Sequence, residues 1–214
     1  MNPSVMIAIP SGSDWKADFG MCLAGLMVTL NRPLKGGGMI ERIQLHNLKG
    51  SILSRSRHKL VENALAQECS HILFLDSDMT FPNYTLHQLL AAGKAIVAAN
   101  CAVKQLPSNS TARRDNGKYG EAVLSSGNAG LEKVWRVGTG VMLIKTSVFA
   151  DLPKPWFPIT WNEEQQDYTG EDWNFCALAE KAGIPIWVDH TLSQQIGHIG
   201  SYTYQHTDIP PDVG

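Results

Sequence analysis

The sequence lacks a long hydrophobic run, a charge excess of either sign and closely spaced cysteines. No apolar stretch approaches the ~18 residues of a membrane span, and residues 1–10 have no basic region, so we expect neither a span nor a signal peptide. The net charge of −2 gives no overall basic surface for nucleic acid, although a local patch stays possible. The four cysteines form no CxxC pair, which indicates buried free thiols, and the cytosol is the expected compartment.

Short apolar strands alternate with helical segments along the chain. Strands are predicted at 5–9, 40–45, 72–75, 95–99, 135–137, 141–144 and 184–188. This alternation predicts a single α/β domain with a mostly parallel central sheet flanked by helices. Ligands of such sheets bind beyond the carboxyl ends of the strands. We therefore expect Pro10-Ser11, Asp76-Ser77-Asp78 and Asn100 to lie on one rim.

The segment from 104 to 133 is polar and rich in serine, asparagine and glycine. A loop of this length inside a compact domain is usually functional or disordered. We expect it to be mobile without ligand and to cover a bound substrate. Arg113, Arg114 and Lys118 give it local positive charge, which would suit an anionic substrate. The polar tail, 205–214, contains two prolines and is expected to be loosely held.

Two aspartates separated by one serine follow the strand at 72–75. Uncompensated carboxylates at a strand end repel each other, and a divalent cation relieves that repulsion. Hard oxygen ligands favour Mg²⁺ or Mn²⁺, which can also bridge to phosphate oxygens. Asp76 and Asp78 are therefore candidate metal ligands. A solvated turn, in which Asp and Ser are common, is the structural alternative.

Arg57 lies at the start of a predicted helix. Ser54 is the expected N-cap, and Arg55 and Arg57 follow in the first turn. Helix N-termini attract anions, and guanidinium groups bind phosphate in bidentate fashion. We expect Arg57 to contact a diphosphate or to brace the Asp76 loop. A solvated basic face is the alternative.

Thr169-Gly-Glu-Asp172 opens a later helix. Thr169 and Asp172 match a capping box, which would be a complete structural explanation. The functional alternative makes Asp172 a general base aimed at an acceptor hydroxyl, with Glu171 orienting the acceptor or bracing the loop. Further along, Gly197 and Gly200 flank His198, whose neutral imidazole would suit Mn²⁺. A lone histidine is more often structural than a ligand.

In this order, the motifs resemble those of the GT-A glycosyltransferase superfamily, especially its small family-two-like members from bacteria and phages. Leu-Phe-Leu-Asp-Ser-Asp78 matches the DxD motif, and Gly170-Glu-Asp172 matches the xED motif. Arg57 falls on the arginine of an Ala-Arg-Asn helix motif, in which serine and histidine replace the neighbours here. Gly138-Thr-Gly140, followed by Val-Met-Leu-Ile144, resembles the strand that precedes the acceptor site in this family. His198 falls where many members place a metal-binding histidine.

The resemblance implies a metal-dependent hexosyltransferase of enzyme class 2.4 that uses a nucleotide sugar, with UDP as the expected nucleotide. It implies one Rossmann-like GT-A domain over 1–204, with a nucleotide-sugar and metal half (1–103) and an acceptor half (134–204). Donor binding is assigned to Pro10, Ser11, Arg57, Asp76, Ser77 and Asp78. Mn²⁺ or Mg²⁺ is assigned to Asp76, Asp78 and His198, and catalysis to Asp172 and Glu171.

The acceptor stays open among a glycan, a small molecule and hydroxymethylated phage DNA. The expected location is the cytosol of a bacterium or of a phage-infected host. Two other functions are compatible with the same residues. Phe74–Thr80 also fits the first motif of haloacid-dehalogenase-type phosphatases, in which Asp76 would be the nucleophile and Asp78 the acid/base. That motif normally follows the first strand of its domain, unlike here. The other is a non-catalytic module that binds nucleotide sugars.

Overall fold

Strands and helices alternate around one central sheet. In the computed structural model, which describes residues 2–211, the helices are α1 (Ala17–Thr29), α2 (Leu53–Ala66), α3 (Thr85–Ala91), α4 (Val148–Asp151), α5 (Glu171–Lys181) and α6 (His190–Ser193). The strands are β1 (Ser4–Ser11), β2 (Arg42–Lys49), β3 (His71–Leu75), β4 (Met79–Thr80), β5 (Ile96–Ala98), β6 (Arg113–Arg114), β7 (Glu121–Ala122), β8 (Leu131–Val134), β9 (Val141–Lys145), β10 (Thr160–Asn162), β11 (Asp167–Thr169), β12 (Ile186–Asp189), β13 (Gly197–Ile199) and β14 (Thr203–Tyr204). Among these residues, no helix is long and apolar enough to cross a membrane.

The central sheet is mixed, with the strand order β2-β1-β3-β9-β5-β12-β8. Strand β1 is parallel to β2 and β3, and β12 is parallel to β5. Strand β9 runs antiparallel to both β3 and β5, and β8 runs antiparallel to β12. The predicted α/β class with a mostly parallel sheet is confirmed.

Strand β1 is buried on both faces, which explains why its sequence is a continuous apolar run. Val5, Ile7 and Ile9 belong to the core cluster that includes the buried face of α1. Met6 and Ala8 point the other way, into the cluster that includes the buried residues of α2. Alternation along the strand therefore connects two hydrophobic layers, one on each side of the sheet.

Two segments depart from the predicted secondary structure. The strand predicted at 135–137 is wrong, because β8 ends at Val134, and Arg136 instead bridges to Arg113. The segment 104–133 is more regular than a polar loop, since it forms β6, β7 and most of β8. Ala112, Val123 and Ser125 anchor it as fully buried residues. Its mobility stays a prediction.

The expectation that the tail is loosely held is wrong for residues 205–211. His206 and Ile209 are buried, and the backbone N–H of Ser108 donates to the carbonyl of Asp208 at 3.2 Å. The reason is that the tail covers apolar and polar groups at the end of β5, including the carbonyl of Asn100, which contacts His206. The rest of the predicted tail, 212–214, lies outside the described residues, as does residue 1 of the predicted domain. The predicted domain boundaries stay predictions.

A small sheet, β14-β13-β4, holds the predicted His198 beside the two aspartates. His198 pairs with Met79, and the backbone N–H of Ile199 donates to the carbonyl of Asp78 at 2.7 Å. Gly197 permits this pairing, since a Cβ atom there would lie 2.4 Å from Oγ1 of Thr80. The glycine thus lets the backbone of β13 lie close to β4.

Replacing Gly197 with alanine should separate β13 from β4. We expect Gly197→Ala to lower the free energy of unfolding by about 1–3 kcal/mol, because the added methyl group overpacks the contact with Thr80. Urea unfolding would measure this change. The matched control is Gly20→Ala in α1, where a Cβ atom meets nothing within 4 Å. That control should be neutral or stabilising by up to about 1 kcal/mol, and an equal loss in both variants would contradict the role of Gly197.

Candidate active site

A cleft of about 210 Å³ lies at the carboxyl ends of β1 and β3. It brings together the predicted donor-binding residues Pro10, Ser11, Asp76, Ser77 and Asp78, and its other lining residues are Gly12, Gly50, Ser51 and Leu53. The amide of Asn47 fixes one wall by donating to Oγ of Ser11 at 2.7 Å and to the carbonyl of Ile9 at 2.9 Å. The predicted rim therefore forms around β1 and β3.

Arg57 is the buried cation of this rim, with 2% of its side chain exposed. Its Nη2 atom donates to both carboxylate oxygens of Asp76, each at 2.9 Å, and its Nε atom donates to Glu171 at 3.3 Å. Burial opposes the guanidinium charge, but Asp76 and Glu171 outweigh it and raise the pKa of Arg57 above its usual value. The remaining nitrogen, Nη1, is buried and has no hydrogen-bond partner within residues 2–211.

Two expectations about this region are corrected by its contacts. The N-cap of α2 is Ile52, not Ser54, whose hydroxyl instead donates to the carbonyl of Phe157. The sequence argument assumed that the carboxylates of Asp76 and Asp78 have no cationic partner, but each of them has one. Asp76 is paired with Arg57, and Asp78 is paired with Lys104. Sequence reasoning missed Lys104, because its position after β5 gives no local signal of contact with β3.

Asp78 lies between Lys104 and His198. Its Oδ2 atom accepts from the Lys104 ammonium, and its Oδ1 atom lies 3.7 Å from Nε2 of His198. Burial alone would raise the pKa of Asp78, but His198 and Lys104 outweigh it and lower this pKa to about 2. Asp78 is therefore an anion at any physiological pH.

The other nitrogen of the His198 ring lies 2.9 Å from the carbonyl oxygen of Ala102. A carbonyl can only accept, so Nδ1 carries a proton, and Nε2 is the ring nitrogen that faces Asp78. Metal-binding histidines are commonly oriented by such a backbone contact. A carboxylate oxygen and an imidazole nitrogen are also a suitable donor pair for Mn²⁺. Asp78 and His198 thus fit a divalent cation, whose other ligands would have to be oxygens of water or of a bound substrate.

Asp76 fits a direct metal contact less well. Both of its oxygens already accept from Arg57, and the described part of the chain contains no group of three histidine, cysteine or acidic side chains close enough to hold an ion. Asp78 and His198 alone would supply two ligands, so water or a bound substrate would have to supply the rest. Asp76 is better placed to hold Arg57 and the loop that carries Asp78.

Asp172 lies at the start of α5, next to Glu171. Burial raises the pKa of Asp172 to about 6, and the neighbouring charge of Glu171 adds to this increase. The predicted capping box is wrong, because Gly170 is the N-cap and makes no side-chain cap. Asp172 instead accepts from the backbone N–H of Trp173 at 2.7 Å. Capping by Thr169 therefore does not explain this carboxylate.

Asn100 does not line the cleft, although it was expected on the same rim. It is fully buried, and its side chain bonds with Ser110, Ser125 and the backbone of Ala112 and Val123. The antiparallel strand β9 separates β5 from β3 and moves Asn100 away from Asp76. Its role is to anchor the segment 104–133 to the sheet.

Comparisons with known proteins point to sugar transfer in general terms. The family model described as Anp1 matches residues 40–121, which is less than half of the chain. This match supports a glycosyltransferase-type family. It includes Arg57, Asp76 and Asp78, but not Asp172 or His198. No curated protein matches the sequence.

The fold is shared with a solved structure, that of A197 from STIV. The two chains are 16% identical, and the superposition has a TM-score of 0.60 over 92% of this chain and 86% of that one. At this identity the likeness concerns the fold alone. It agrees with the arrangement of strands and helices described above.

Arg57 should be essential for the stability of this rim. We expect Arg57→Met to lower the free energy of unfolding by about 3 kcal/mol at neutral pH, because Asp76 and Glu171 lose their buried partner. Urea unfolding at pH 7 would measure this loss. Arg55→Met, which removes an exposed arginine of the same helix, is the matched control. A loss of similar size there would refute the assignment.

Proposed function

We propose that this protein is a metal-dependent glycosyltransferase that moves a sugar from a nucleotide sugar, with UDP as the nucleotide, to an acceptor hydroxyl. The observation that carries the proposal is the cleft at the ends of β1 and β3. It joins Pro10 and Ser11 to the Asp76-Ser77-Asp78 turn, with His198 placed against Asp78 by β13. The Anp1 match adds independent support for sugar transfer.

In this proposal, the cleft residues have separate tasks. Pro10 and Ser11 bind the base or ribose, and Ser77 contacts the donor. Asp78 and His198 hold Mn²⁺ or Mg²⁺, which when bound supplies positive charge to the diphosphate leaving group. Asp76 keeps the turn in place through its contacts with Arg57.

Asp172 accepts the proton of the acceptor hydroxyl as that oxygen attacks the sugar. A pKa of about 6 suits this role, because the carboxylate is ionised at neutral pH and is still more basic than an ordinary aspartate. Glu171 orients the acceptor and stays bound to Arg57. The same geometry disfavours the phosphatase alternative, since both oxygens of its would-be nucleophile, Asp76, accept from a buried guanidinium.

Asp172→Asn tests the base directly. We expect transfer to fall by ~10²-fold or more, while the affinity for UDP stays unchanged. In the unmodified protein, kcat/KM should rise with pH through about 6 and then level off, as the carboxylate loses its proton. Mass spectrometry of transfer products from a panel of nucleotide sugars and cell extracts would supply the assay. A variant that transfers as fast as the unmodified protein would exclude Asp172 as the base.

The same substitution should stabilise the fold. The pKa of Asp172 is raised from 3.8 to about 6, so the folded state binds the proton more tightly than the unfolded state does. Stability therefore falls as the pH rises through that window and then stays level. At pH 7, Asp172→Asn should raise the free energy of unfolding by about 1–3 kcal/mol, because the amide is never charged. A structural cap would instead lose up to ~1 kcal/mol when replaced.

Asp78 and the metal are tested by UDP binding. Calorimetric titration of UDP with and without Mn²⁺ should show tighter binding with the ion, and Asp78→Ala should abolish that difference. Asp151→Ala, which removes an exposed aspartate at the end of α4, should keep it. If Asp78→Ala and the unmodified protein bind UDP with equal affinity in the presence of Mn²⁺, the metal assignment is wrong. A preference for GDP over UDP would overturn the choice of nucleotide.

A further inference from the structure

A β-hairpin that the sequence did not predict lies immediately before the proposed base. Strands β10 and β11 pair antiparallel over Thr160–Asn162 and Asp167–Thr169, and we call residues 160–169 the aromatic hairpin. Three residues separate Tyr168, in the second strand, from Asp172. The two Cα atoms can therefore be no more than about 14 Å apart. A molecule bound to this hairpin lies close to the proposed site of attack.

The hairpin is fixed to the same helix that carries Asp172. The hydroxyl of Thr160 donates to the side-chain oxygen of Asn174 at 3.1 Å, and the amide of Asn174 donates to the carbonyl of Thr169 at 3.0 Å. Asn174 belongs to the first turn of α5, as Asp172 does. These contacts use the residues at the base of the hairpin and hold its strands at a set position relative to the carboxylate.

Trp161 and Tyr168 are opposite each other in the hairpin and lie on the same face of it. Their rings pack edge to face with centroids 5.2 Å apart, yet 46% of Trp161 and 68% of Tyr168 remain exposed. A cross-strand aromatic pair stabilises a hairpin. However, that role does not require ring surfaces left open to solvent on a segment that leads into the proposed base.

The charge around the rings selects among the possible ligands. Glu163, Glu164 and Asp167 are exposed in the hairpin, which contains no lysine or arginine. Single-stranded nucleic acid also stacks on aromatic rings, but it needs a positively charged groove for its phosphates. A neutral sugar ring has no such need. Its C–H groups pack on the electron-rich ring faces, and its hydroxyls donate to nearby carboxylates and amides.

We propose that the aromatic hairpin binds a neutral pyranose unit of a saccharide acceptor through Trp161 and Tyr168. This inference rests on the proposed transferase function, and it selects a glycan among the acceptors left open above. The ring stacks on the exposed aromatic faces, and the acidic residues of the hairpin accept hydrogen bonds from its hydroxyl groups. Stacking at this position presents a neighbouring hydroxyl to Asp172.

Saturation-transfer NMR tests the hairpin without any donor. The probes are the methyl pyranosides of glucose, galactose, mannose and N-acetylglucosamine, together with a thymidine oligonucleotide. We expect at least one pyranoside to receive saturation from the unmodified protein and to lose it with Trp161→Ala/Tyr168→Ala. The double variant Trp161→Phe/Tyr168→Phe keeps both ring faces and should retain the signal. Tyr84→Ala removes an exposed aromatic ring at the start of α3 and is the control elsewhere on the surface.

Each remaining outcome decides the proposal. It is overturned if no pyranoside binds the unmodified protein, if the alanine double variant binds as well as the unmodified protein, or if the oligonucleotide binds through these rings instead. UDP titration of the same variants separates this result from the proposed function. The alanine variant should keep its UDP affinity and, in transfer assays, raise KM for the saccharide about tenfold without a matching loss in kcat. If the unmodified protein does not bind UDP, the proposed transferase function is contradicted, but saccharide binding by the hairpin is not.

Discussion

The buried ion pairs of Arg57 are the interaction on which the rim depends. One guanidinium contacts the turn after β3 through Asp76 and the first turn of α5 through Glu171. Because little water reaches it, this contact fixes both segments more firmly than an exposed ion pair would. Asp76 and Glu171 take the direct contacts of Arg57. The adjacent Asp172 has no such ion pair to offset its burial, and burial, together with the charge of Glu171, raises its pKa to about 6.

The second aspartate of the turn connects the rim to a different part of the chain. Asp78 contacts Lys104 and faces His198, whose ring is oriented by the carbonyl of Ala102. Residues 102–104 therefore lie at the boundary between β5 and the long segment that follows it. Any movement of that segment would change the surroundings of Asp78. The ammonium group of Lys104 beside Asp78, together with Arg57 beside Asp76, explains how the two neighbouring carboxylates are stable without a bound ligand.

The sequence predicted those features that depend on local pattern. Continuous apolar runs identified β1, β3 and β9, and strand ends located the Asp76-Ser77-Asp78 turn beside Pro10 and Ser11, because parallel strands end on one rim. Features set by contacts distant in sequence were missed. Lys104 meets Asp78 across 26 residues, and β13 pairs with β4 across more than a hundred. The aromatic hairpin was missed because its turn residues, Glu163 to Gln166, give neither a glycine nor a proline signal.

The way the aromatic hairpin is attached has a consequence for how such a protein could diversify. It is an excursion between α4 and α5, and the hydrogen bonds described above join its base to Asn174 rather than to the central sheet. Residues at its tip could therefore be exchanged with little effect on the hydrophobic core or on the cleft at the ends of β1 and β3. Under the proposed function, one donor-binding cleft could in this way serve different acceptors by substitution within ten residues, while the proposed base, Asp172, stays in place.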